Sequence, residues 1–364
     1  MKSTCEHLRS ITVNGRFLSQ PITGVQRYAI ELLNALDILL QINSIEQVPV
    51  TVLAPQDARE IPRWGSLRVE KVGRLSGQLW EQLDLPIHAR GSLLFTPCGG
   101  APVVHRPHVI TIHDAGPFST PGTYTVAYRS YYKALQKILT RTAVHIITVS
   151  EFSRQELMGF LRIPPERITA IPLSGEHILR HRPDDAVLTR YALQPGRYIL
   201  GVGSKNPNKN LSGLTQAAGY LPAGSPEIVI AGGSNHSVFA NAQDSPAGIR
   251  ELGFVDDSEL RTLYESAGCF LFPSFYEGFG LPPLEALTLG CPVVVARAAS
   301  LPEVFREIAT YCDPRSPQDI AGQVSRVLAG GHPSRESLVA FASQFTWERC
   351  AKETWKILSE ALNR

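Results

Sequence analysis

The sequence of 364 residues lacks the features that mark several large classes of protein. It has no apolar run long enough for a transmembrane helix, so no membrane-spanning segment is expected. Its 35 lysines and arginines barely outnumber its 33 aspartates and glutamates, and no basic block occurs, so we expect no nucleic-acid partner. The first ten residues, MKSTCEHLRS, lack the apolar core of a signal peptide, which predicts a cytoplasmic protein.

Metal clusters and disulfide frameworks are also not expected. The six cysteines are scattered along the chain without a C-x-x-C pair, and Cys269 lies in an apolar run typical of a buried strand. This usage predicts reduced structural thiols. Two acidic pairs, Asp184 with Asp185 and Asp256 with Asp257, each lie in a polar turn without a third nearby ligand. We interpret them as solvated or helix-capping residues, and no metal site is predicted.

What the sequence does contain is an alternation of short apolar runs with helical patterns, arranged as two similar halves. This alternation is typical of βαβ units, which build parallel sheets, and predicts the α/β fold class. The polar, proline-interrupted segment 174–195 predicts a linker between the halves. Predicted strands lie at residues 11–13, 50–53, 92–95, 109–112, 145–149, 198–202, 227–230, 268–272 and 292–295.

The stretch FPSFYEGFGLPPLEAL, residues 272–287, combines a strand end, a glycine turn and a helix start. Gly278 and Gly280 let a ligand approach the backbone, and amides at a helix N-terminus bind anions. Glu277 and Glu285 would repel an anion, so we predict that the amides bind a phosphate while the carboxylates bind hydroxyl groups. Balancing of the helix dipole and a pair of hydrolytic carboxylates are the alternatives. Hydrolytic pairs usually lack an adjoining anion site.

Loops that follow other predicted strands also carry polar residues, as expected for ligand binding beyond the carboxyl ends of parallel strands. Lys209 in SKNPNKN is either a solvated lysine or a point charge for a phosphate. The loop lacks the third glycine of a dinucleotide fingerprint, which argues against NAD. His113 is either structural or functional, oriented by Asp114 or by a backbone carbonyl. Gly24 lies near the start of a helix in TGVQRY.

A basic stripe is predicted on one face of a helix, because four cationic residues recur every four positions. Its members are Arg129, Lys133, Lys137 and Arg141. A solvated outer face is one interpretation. The other is a surface that contacts anionic lipid headgroups.

Together these motifs resemble the retaining glycosyltransferases of family 4. The resemblance rests on YEGFGLPPLEA with its E-x₇-E spacing, SKNPNKNL, TIHDAGPF, ITVSEFSRQEL, ELGFVDDSELRTLYESA and TGVQRYAIELL, which extend over residues 13–310. It implies a GT-B fold of two Rossmann-like domains, predicted at residues 1–178 and 179–345, facing a central cleft. As in relatives, the C-terminal helix at 346–364 is expected to cross back to the first domain.

The resemblance also implies roles for individual residues. Lys209 would hold the diphosphate of a nucleotide sugar and Glu285 the ribose hydroxyls, while Glu277 and His113 would lie beside the transferred sugar. The implied catalytic residues are His113 and Glu277, and the implied donor-binding residues are Gly24, Ser204, Lys209, Gly278, Phe279, Gly280 and Glu285. Many relatives carry an arginine in place of Ser204, for which Lys205 or Asn208 would compensate.

The expected function is transfer of a hexose from a nucleotide sugar, with GDP-mannose favoured, to a polyprenyl-diphosphate-linked saccharide in surface-polysaccharide assembly. No metal is expected, because Lys209 and helix dipoles neutralise the leaving diphosphate. The expected location is the cytoplasm, with peripheral contact to the inner face of the cytoplasmic membrane. Alternatives are a GT-B sugar synthase or phosphorylase acting on a soluble acceptor, and a non-catalytic nucleotide-sugar-binding protein.

Overall fold

The chain folds into two compact units. The first unit extends to Ala115 and adds Ser130–Leu173 and Trp347–Arg364, whereas the second combines Gly116–Arg129 with Ser174–Thr346. The computed structural model describes three stretches of the chain, residues 10–203, 206–232 and 249–364.

The strands and helices alternate along these stretches. The strands are β1 (Ile11–Asn14), β2 (Val50–Ala54), β3 (Arg68–Lys71), β4 (Leu93–Thr96), β5 (His108–Thr111), β6 (His145–Thr148), β7 (Ile168–Ala170), β8 (Tyr198–Val202), β9 (Glu227–Ala231), β10 (Ile249–Gly253), β11 (Cys269–Phe272), β12 (Val293–Ala296) and β13 (Thr310–Cys312). The α-helices are α1 (Gly24–Gln41), α2 (Gly77–Leu79), α3 (Leu85–His88), α4 (Gly116–Ser119), α5 (Val126–Thr142), α6 (Glu151–Leu161), α7 (Ala186–Arg190), α8 (Leu211–Ala218), α9 (Asp257–Ser266), α10 (Leu281–Thr288), α11 (Leu301–Phe305), α12 (Pro317–Leu328), α13 (Arg335–Ala342) and α14 (Trp347–Leu362). A π-helical segment, Trp80–Asp84, joins α2 to α3.

The first unit contains a seven-stranded parallel sheet with the order β3-β2-β1-β4-β5-β6-β7. Thr12 on the central strand β1 pairs with Thr51 on β2 and with Leu94 on β4, and these pairs define the register of the three strands. The chain builds outward from β1 in one direction and from β4 in the other. The order therefore reverses between β1 and β4, and this is where open α/β sheets leave a crevice at the carboxyl ends of their strands.

The second unit repeats the design with a six-stranded parallel sheet, ordered β10-β9-β8-β11-β12-β13. Its central strand β11 is buried along its whole length and lies between β8 and β12, with Phe270 opposite Leu200 and Val293. Here the order reverses between β8 and β11. The nine strands expected from apolar runs are all present, and the parallel α/β architecture is confirmed.

The segment predicted as a linker, residues 174–195, is instead packed into the second unit. Its residues Glu176–Arg180 form a short 3-10 helix in which His177 and Ile178 are buried. The side chain of Ser174 donates a hydrogen bond of 2.7 Å to the carbonyl of Phe345. The boundary expected at residue 178 accordingly falls at Leu173, because burial of these side chains fixes residues 174–178 in the second unit.

The C-terminal helix α14 belongs to the first unit, where it packs on α1. Trp347 is 2% exposed, and its ring lies 6.4 Å from the ring of Tyr28 on α1. Burial raises the pKa of the Cys350 thiol on the same helix, which favours its protonated form. Among the described residues, no helix combines the length and the apolar character needed to cross a bilayer.

Replacement of Trp347 by alanine is expected to destabilise the first unit by about 3–5 kcal/mol, because it leaves a cavity between α14 and α1. All four tryptophans, at positions 64, 80, 347 and 355, belong to this unit, so tryptophan fluorescence during guanidinium unfolding reports on it selectively. Lys352→Ala on the exposed face of α14 is the control and should change stability by less than about 0.5 kcal/mol. Equal effects of the two substitutions would show that α14 is not part of this core.

Candidate active site

Two predicted site residues meet in the second unit, at the position where its strand order reverses. Lys209 ends a short 3-10 turn after β8, and Glu277 lies in the loop after β11. The Nζ atom of Lys209 donates a hydrogen bond of 2.7 Å to Oε1 of Glu277. Their side chains are 20% and 14% exposed, so the pair is partly open to solvent. The sheet therefore presents one cation and one carboxylate at its expected ligand-binding edge.

The surroundings of Lys209 hold its ammonium group at this edge. Its Nζ lies 4.8 Å from the centre of the Phe272 ring, a distance suited to a cation–π contact. The two loops also enclose a small cavity lined by Gly203, Lys209, Phe272 and Pro273. An ammonium has three N–H donors, and Glu277 engages one of them. The ammonium of Lys209 therefore has donor capacity beyond this ion pair with which it could bind a phosphate oxygen.

Asn210 links the loop after β8 to the loop after β11. Its backbone has the left-handed conformation, with φ of 58°, and its side chain accepts the amide of Gly213 as the N-cap of α8. The side-chain amide donates to the carbonyls of Pro273, at 3.1 Å, and Pro314, at 2.7 Å. The loop after β8 is thus fixed to the end of β11. The backbones that carry Lys209 and Glu277 are thereby tied together.

The glycine loop after Glu277 has a geometry that requires glycine at position 280. The φ angle of Gly280 is 98°, and a Cβ atom there would lie 2.7 Å from Cδ2 of Leu301. Phe279 is 4% exposed, and its ring packs edge-on against Phe345 at 6.2 Å. Its side chain therefore anchors the loop in the core. Any contact of Phe279 with a ligand would be made by its backbone amide.

The start of α10 contributes fewer amide donors than a typical helix end. Pro282 and Pro283 have no N–H group, and the amide of Leu284 donates to the carbonyl of Gly280. The helix end therefore supplies little of the predicted anion site. The predicted contacts of Gly278, Phe279 and Gly280 with a phosphate or sugar stay predictions.

Glu285 lies one turn into α10 and is only 6% exposed. Its Oε2 accepts a hydrogen bond of 2.9 Å from the hydroxyl of Tyr264, and its Oε1 lies 3.1 Å from Nε2 of His177. Burial and the neighbouring carboxylate raise the pKa of Tyr264 well above its ordinary value, so this phenol remains a donor. The carboxylate predicted to bind ribose is thus held by one donor on each oxygen.

His113 and Gly24 belong to the first unit. The Nε2 atom of His113 donates to the carbonyl of Pro97 at 3.0 Å, so a backbone carbonyl orients the ring. The edge of Tyr28 contacts this ring at a centroid distance of 4.8 Å. Burial lowers the pKa of His113 to about 4, and the imidazole is neutral near pH 7. Since Nε2 carries the proton, Nδ1 is available as an acceptor.

Gly24 is the first residue of α1 and is exposed to solvent. Thr23 precedes it as the N-cap, in a capping box with Gln26. Among the described residues, no atom outside its own helix backbone and its chain neighbours lies within 4 Å of a Cβ placed at Gly24, so packing against them does not require glycine there. Open space at a helix N-terminus is compatible with the predicted approach of an anion, and that role stays a prediction.

Lys205 and Asn208 were proposed to compensate for the arginine that is missing at Ser204. Ser204 and Lys205 lie outside the described residues, whereas Asn208 is described. Asn208 is 8% exposed and has its side chain engaged, since it accepts from Thr123 at 2.8 Å and donates to Thr120 at 3.2 Å. Both ends of its amide thus fix the segment 116–129 to the second unit. Compensation by Asn208 would therefore have to use the second N–H of its amide.

Sequence reasoning missed several residues that support the site. Tyr264 and His177 hold Glu285, and Ser300 donates a hydrogen bond of 2.9 Å to the carbonyl of Glu277. None of these residues lies in the same motif as its partner, and no spacing rule connects them. Only Asn210 carried a usable signal, because asparagine directly before a helical pattern is typical of an N-cap.

Comparison with known proteins identifies the family. The model of the protein family described as "Glycosyltransferase Family 4" matches residues 22–173. The model of the family described as "Glycosyl transferases group 1" matches residues 192–345. O-antigen chain mannosyltransferase B of Escherichia coli is 30% identical over 93% of this chain and 96% of its own. The chain belongs to glycosyltransferase family 4. It is a glycosyltransferase, as the motifs predicted.

Solved structures of similar shape confirm the GT-B fold. Sucrose-phosphate synthase from Thermosynechococcus elongatus matches 96% of this chain and 98% of its own with a TM-score of 0.75 and 17% identity. HepE from Anabaena, solved in complex with UDP-glucose, matches 97% of this chain and 100% of its own with a TM-score of 0.69 and 17% identity. At these identities the likeness establishes the fold alone.

The lowered pKa of His113 predicts a pH-dependent stability of the first unit. The pKa of His113 is about 4 in the folded state, and that of an unfolded histidine is about 6.5. As the pH falls, the unfolded state therefore binds a proton at a higher pH than the folded state does. Stability from this group is therefore complete above pH 6.5 and decreases as the pH falls toward 4, by at most about 1.4 kcal/mol per pH unit. Other buried histidines add to the slope, so the wild type is compared with His113→Gln. The variant should show a shallower loss between pH 6.5 and 5 by tryptophan fluorescence, and parallel curves would contradict the prediction.

Proposed function

We propose that this glycosyltransferase transfers mannose from GDP-mannose, with retention of the anomeric configuration, to a polyprenyl-diphosphate-linked saccharide during surface-polysaccharide assembly. The observation that carries the donor site is the pair of Lys209 and Glu277 at the reversal of the second sheet. The choice of mannose is supported by the similarity to O-antigen chain mannosyltransferase B over 93% of the chain. The complex of HepE with UDP-glucose supports a nucleotide sugar as the donor class.

In the proposed reaction, Lys209 stabilises the negative charge that develops on the leaving diphosphate. A phosphate oxygen on the same face of the sugar takes the proton of the acceptor hydroxyl, and the new glycosidic bond forms on that face. Glu277 accepts hydrogen bonds from hydroxyl groups of the transferred sugar, while Glu285 binds the ribose. The neutral imidazole of His113 offers Nδ1 as an acceptor to the sugar. No metal is needed in this scheme, because Lys209 and the loop amides balance the diphosphate.

The donor assignment is tested with a panel of GDP, UDP, dTDP and ADP, measured by thermal shift in the presence of a chelator. A ligand that binds the folded state raises the melting temperature, and at 100 times its Kd it contributes about 2.7 kcal/mol. GDP is expected to stabilise the wild type, and Lys209→Ala is expected to abolish that shift. Lys352→Ala, which removes an exposed lysine of the first unit, is the matched control and should retain it. Stabilisation by none of the four nucleotides would contradict the proposed function.

The proposed membrane contact rests on two features, helix α5 and the segment 77–88. On α5, Lys137 and Arg141 are exposed, whereas Arg129 and Lys133 of the predicted stripe are half-buried. The segment 77–88 presents an exposed apolar row with a spacing of four residues, in which Leu79 is 62%, Leu83 54% and Ile87 58% exposed.

These two features lie side by side, because the side chain of Gln78 contacts the hydroxyl of Tyr131 on α5 at 2.8 Å. The charge distribution supports an anionic partner. Residues 77–150 contain six lysines and arginines against three acidic residues, of which Glu81 is buried. An apolar row beside cations suits the headgroup region of an anionic bilayer, where a lipid-linked acceptor would lie.

Vesicle sedimentation tests this contact. The protein should bind vesicles that contain phosphatidylglycerol and should bind pure phosphatidylcholine vesicles much more weakly. Lys137→Glu with Arg141→Glu should weaken binding at least about 30-fold, since each cation near an anionic surface contributes about 1 kcal/mol. Leu79→Ser with Leu83→Ser should also weaken it, and both variants should retain the thermal shift with nucleotide. Unchanged sedimentation of both variants would exclude this surface.

A further inference from the structure

The carboxylate of Glu285 is buried and has a partner on each of its two oxygens. A buried carboxylate is costly unless it is paired and hydrogen-bonded. Here Tyr264 of α9 and His177 of the 3-10 helix Glu176–Arg180 each take a different oxygen. Both partners are at most 1% exposed. The orientation of the carboxylate plane is therefore set from two separate elements.

The two contacts use only part of the acceptor capacity of the Glu285 carboxylate. A carboxylate has about four acceptor positions, two on each oxygen. Tyr264 and His177 together use one position on each oxygen of Glu285. Within the described part of the chain, one position on each oxygen remains, which matches two neighbouring hydroxyl groups such as those of a ribose ring. A rotated carboxylate would lose this match, so its orientation matters for binding.

The segment that carries His177 is itself fixed against α10. A Cβ atom on Gly175 would lie 2.8 Å from the backbone nitrogen of Glu285, so this glycine permits direct contact of the two backbones. Ser174 bonds the carbonyl of Phe345 and also accepts the amide of Glu176 at 3.1 Å. Rigid support of this kind is what keeps a binding side chain in its productive orientation.

We propose that His177 is a positioning residue of the donor site, which orients Glu285 for the ribose of a nucleoside diphosphate. This inference rests on the proposed function, because it takes the ribose contact of Glu285 from there. Tyr264 supports the same orientation from α9. A purely structural role for His177, in which it only satisfies a buried carboxylate, is the competing explanation.

A double-mutant cycle separates these explanations. The Kd values for GDP, UDP, dTDP and ADP are measured by isothermal titration calorimetry for the wild type, His177→Leu, Glu285→Gln and the double variant. For the nucleotide that binds the wild type, His177→Leu should raise Kd at least about tenfold, or about 1.4 kcal/mol. In the Glu285→Gln background the same substitution should change Kd less than about twofold. His177→Gln, which retains a donor, should restore binding to within about threefold of the wild type.

His181→Leu is the matched control. His181 follows on the same segment and faces a different carboxylate, with Nε2 at 3.4 Å from Oδ2 of Asp257, so its loss should leave Kd unchanged. At saturating donor, kcat of His177→Leu should stay within about twofold of the wild type while the donor KM rises.

The outcomes that contradict the inference differ from those that contradict the proposed function. A raised Kd in Glu285→Gln with an unchanged Kd in His177→Leu overturns the positioning role alone. Equal effects of His177→Leu in both backgrounds show a structural role and also overturn it. An unchanged Kd in Glu285→Gln refutes the ribose contact, and lack of binding of all four nucleotides to the wild type refutes the proposed function. Either of these results removes the basis of the inference as well.

Discussion

The reversal of strand order between β8 and β11 is the constraint on which the site in the second unit depends. Successive parallel strands need crossovers, and crossovers that run outward in opposite directions leave the two central strands with uncovered carboxyl ends. The loops after β8 and β11 must therefore meet. Lys209 and Glu277 lie in these loops and pair at 2.7 Å, although 68 positions separate them in the chain. Asn210 ties the two loops together by donating a hydrogen bond to the carbonyl of Pro273.

The central strands of both sheets could be predicted from the sequence, whereas the edge strands were not predicted. The nine predicted strands include all the central ones, because strands covered on both faces consist of nearly continuous apolar residues. The four strands that were missed, β3, β7, β10 and β13, are the edge strands of the two sheets. RVEK of β3 is almost entirely exposed, and TYC of β13 is half-buried. Edge strands bury little apolar surface, so their positions follow from pairing rather than from local composition.

The site shows the same division between local and long-range information. The glycine turn before α10 and the cap of α9 by Asp256 could be predicted, since each depends on neighbouring residues. The partners of Glu285 could not. His177 is 108 positions away and lies in a segment whose polar composition predicted a linker. Burial of that segment is a tertiary effect, because close contact of Gly175 with α10 places the imidazole on the carboxylate.

The two glutamates of the E-x₇-E motif are chemically distinct, which resolves the conflict between carboxylates and a phosphate site. Glu277 is half-buried, and its charge is balanced by the same lysine that would face the phosphate. Binding of an anion at Lys209 would weaken this pair and so leave the Glu277 carboxylate more available to sugar hydroxyls. Glu285 is buried, and its carboxylate is hydrogen-bonded by Tyr264 and contacted by His177. These contacts do not involve Lys209. In the proposed donor site, one carboxylate would therefore respond to the diphosphate while the other stays fixed, and one loop with its following helix would serve both ends of the nucleotide sugar.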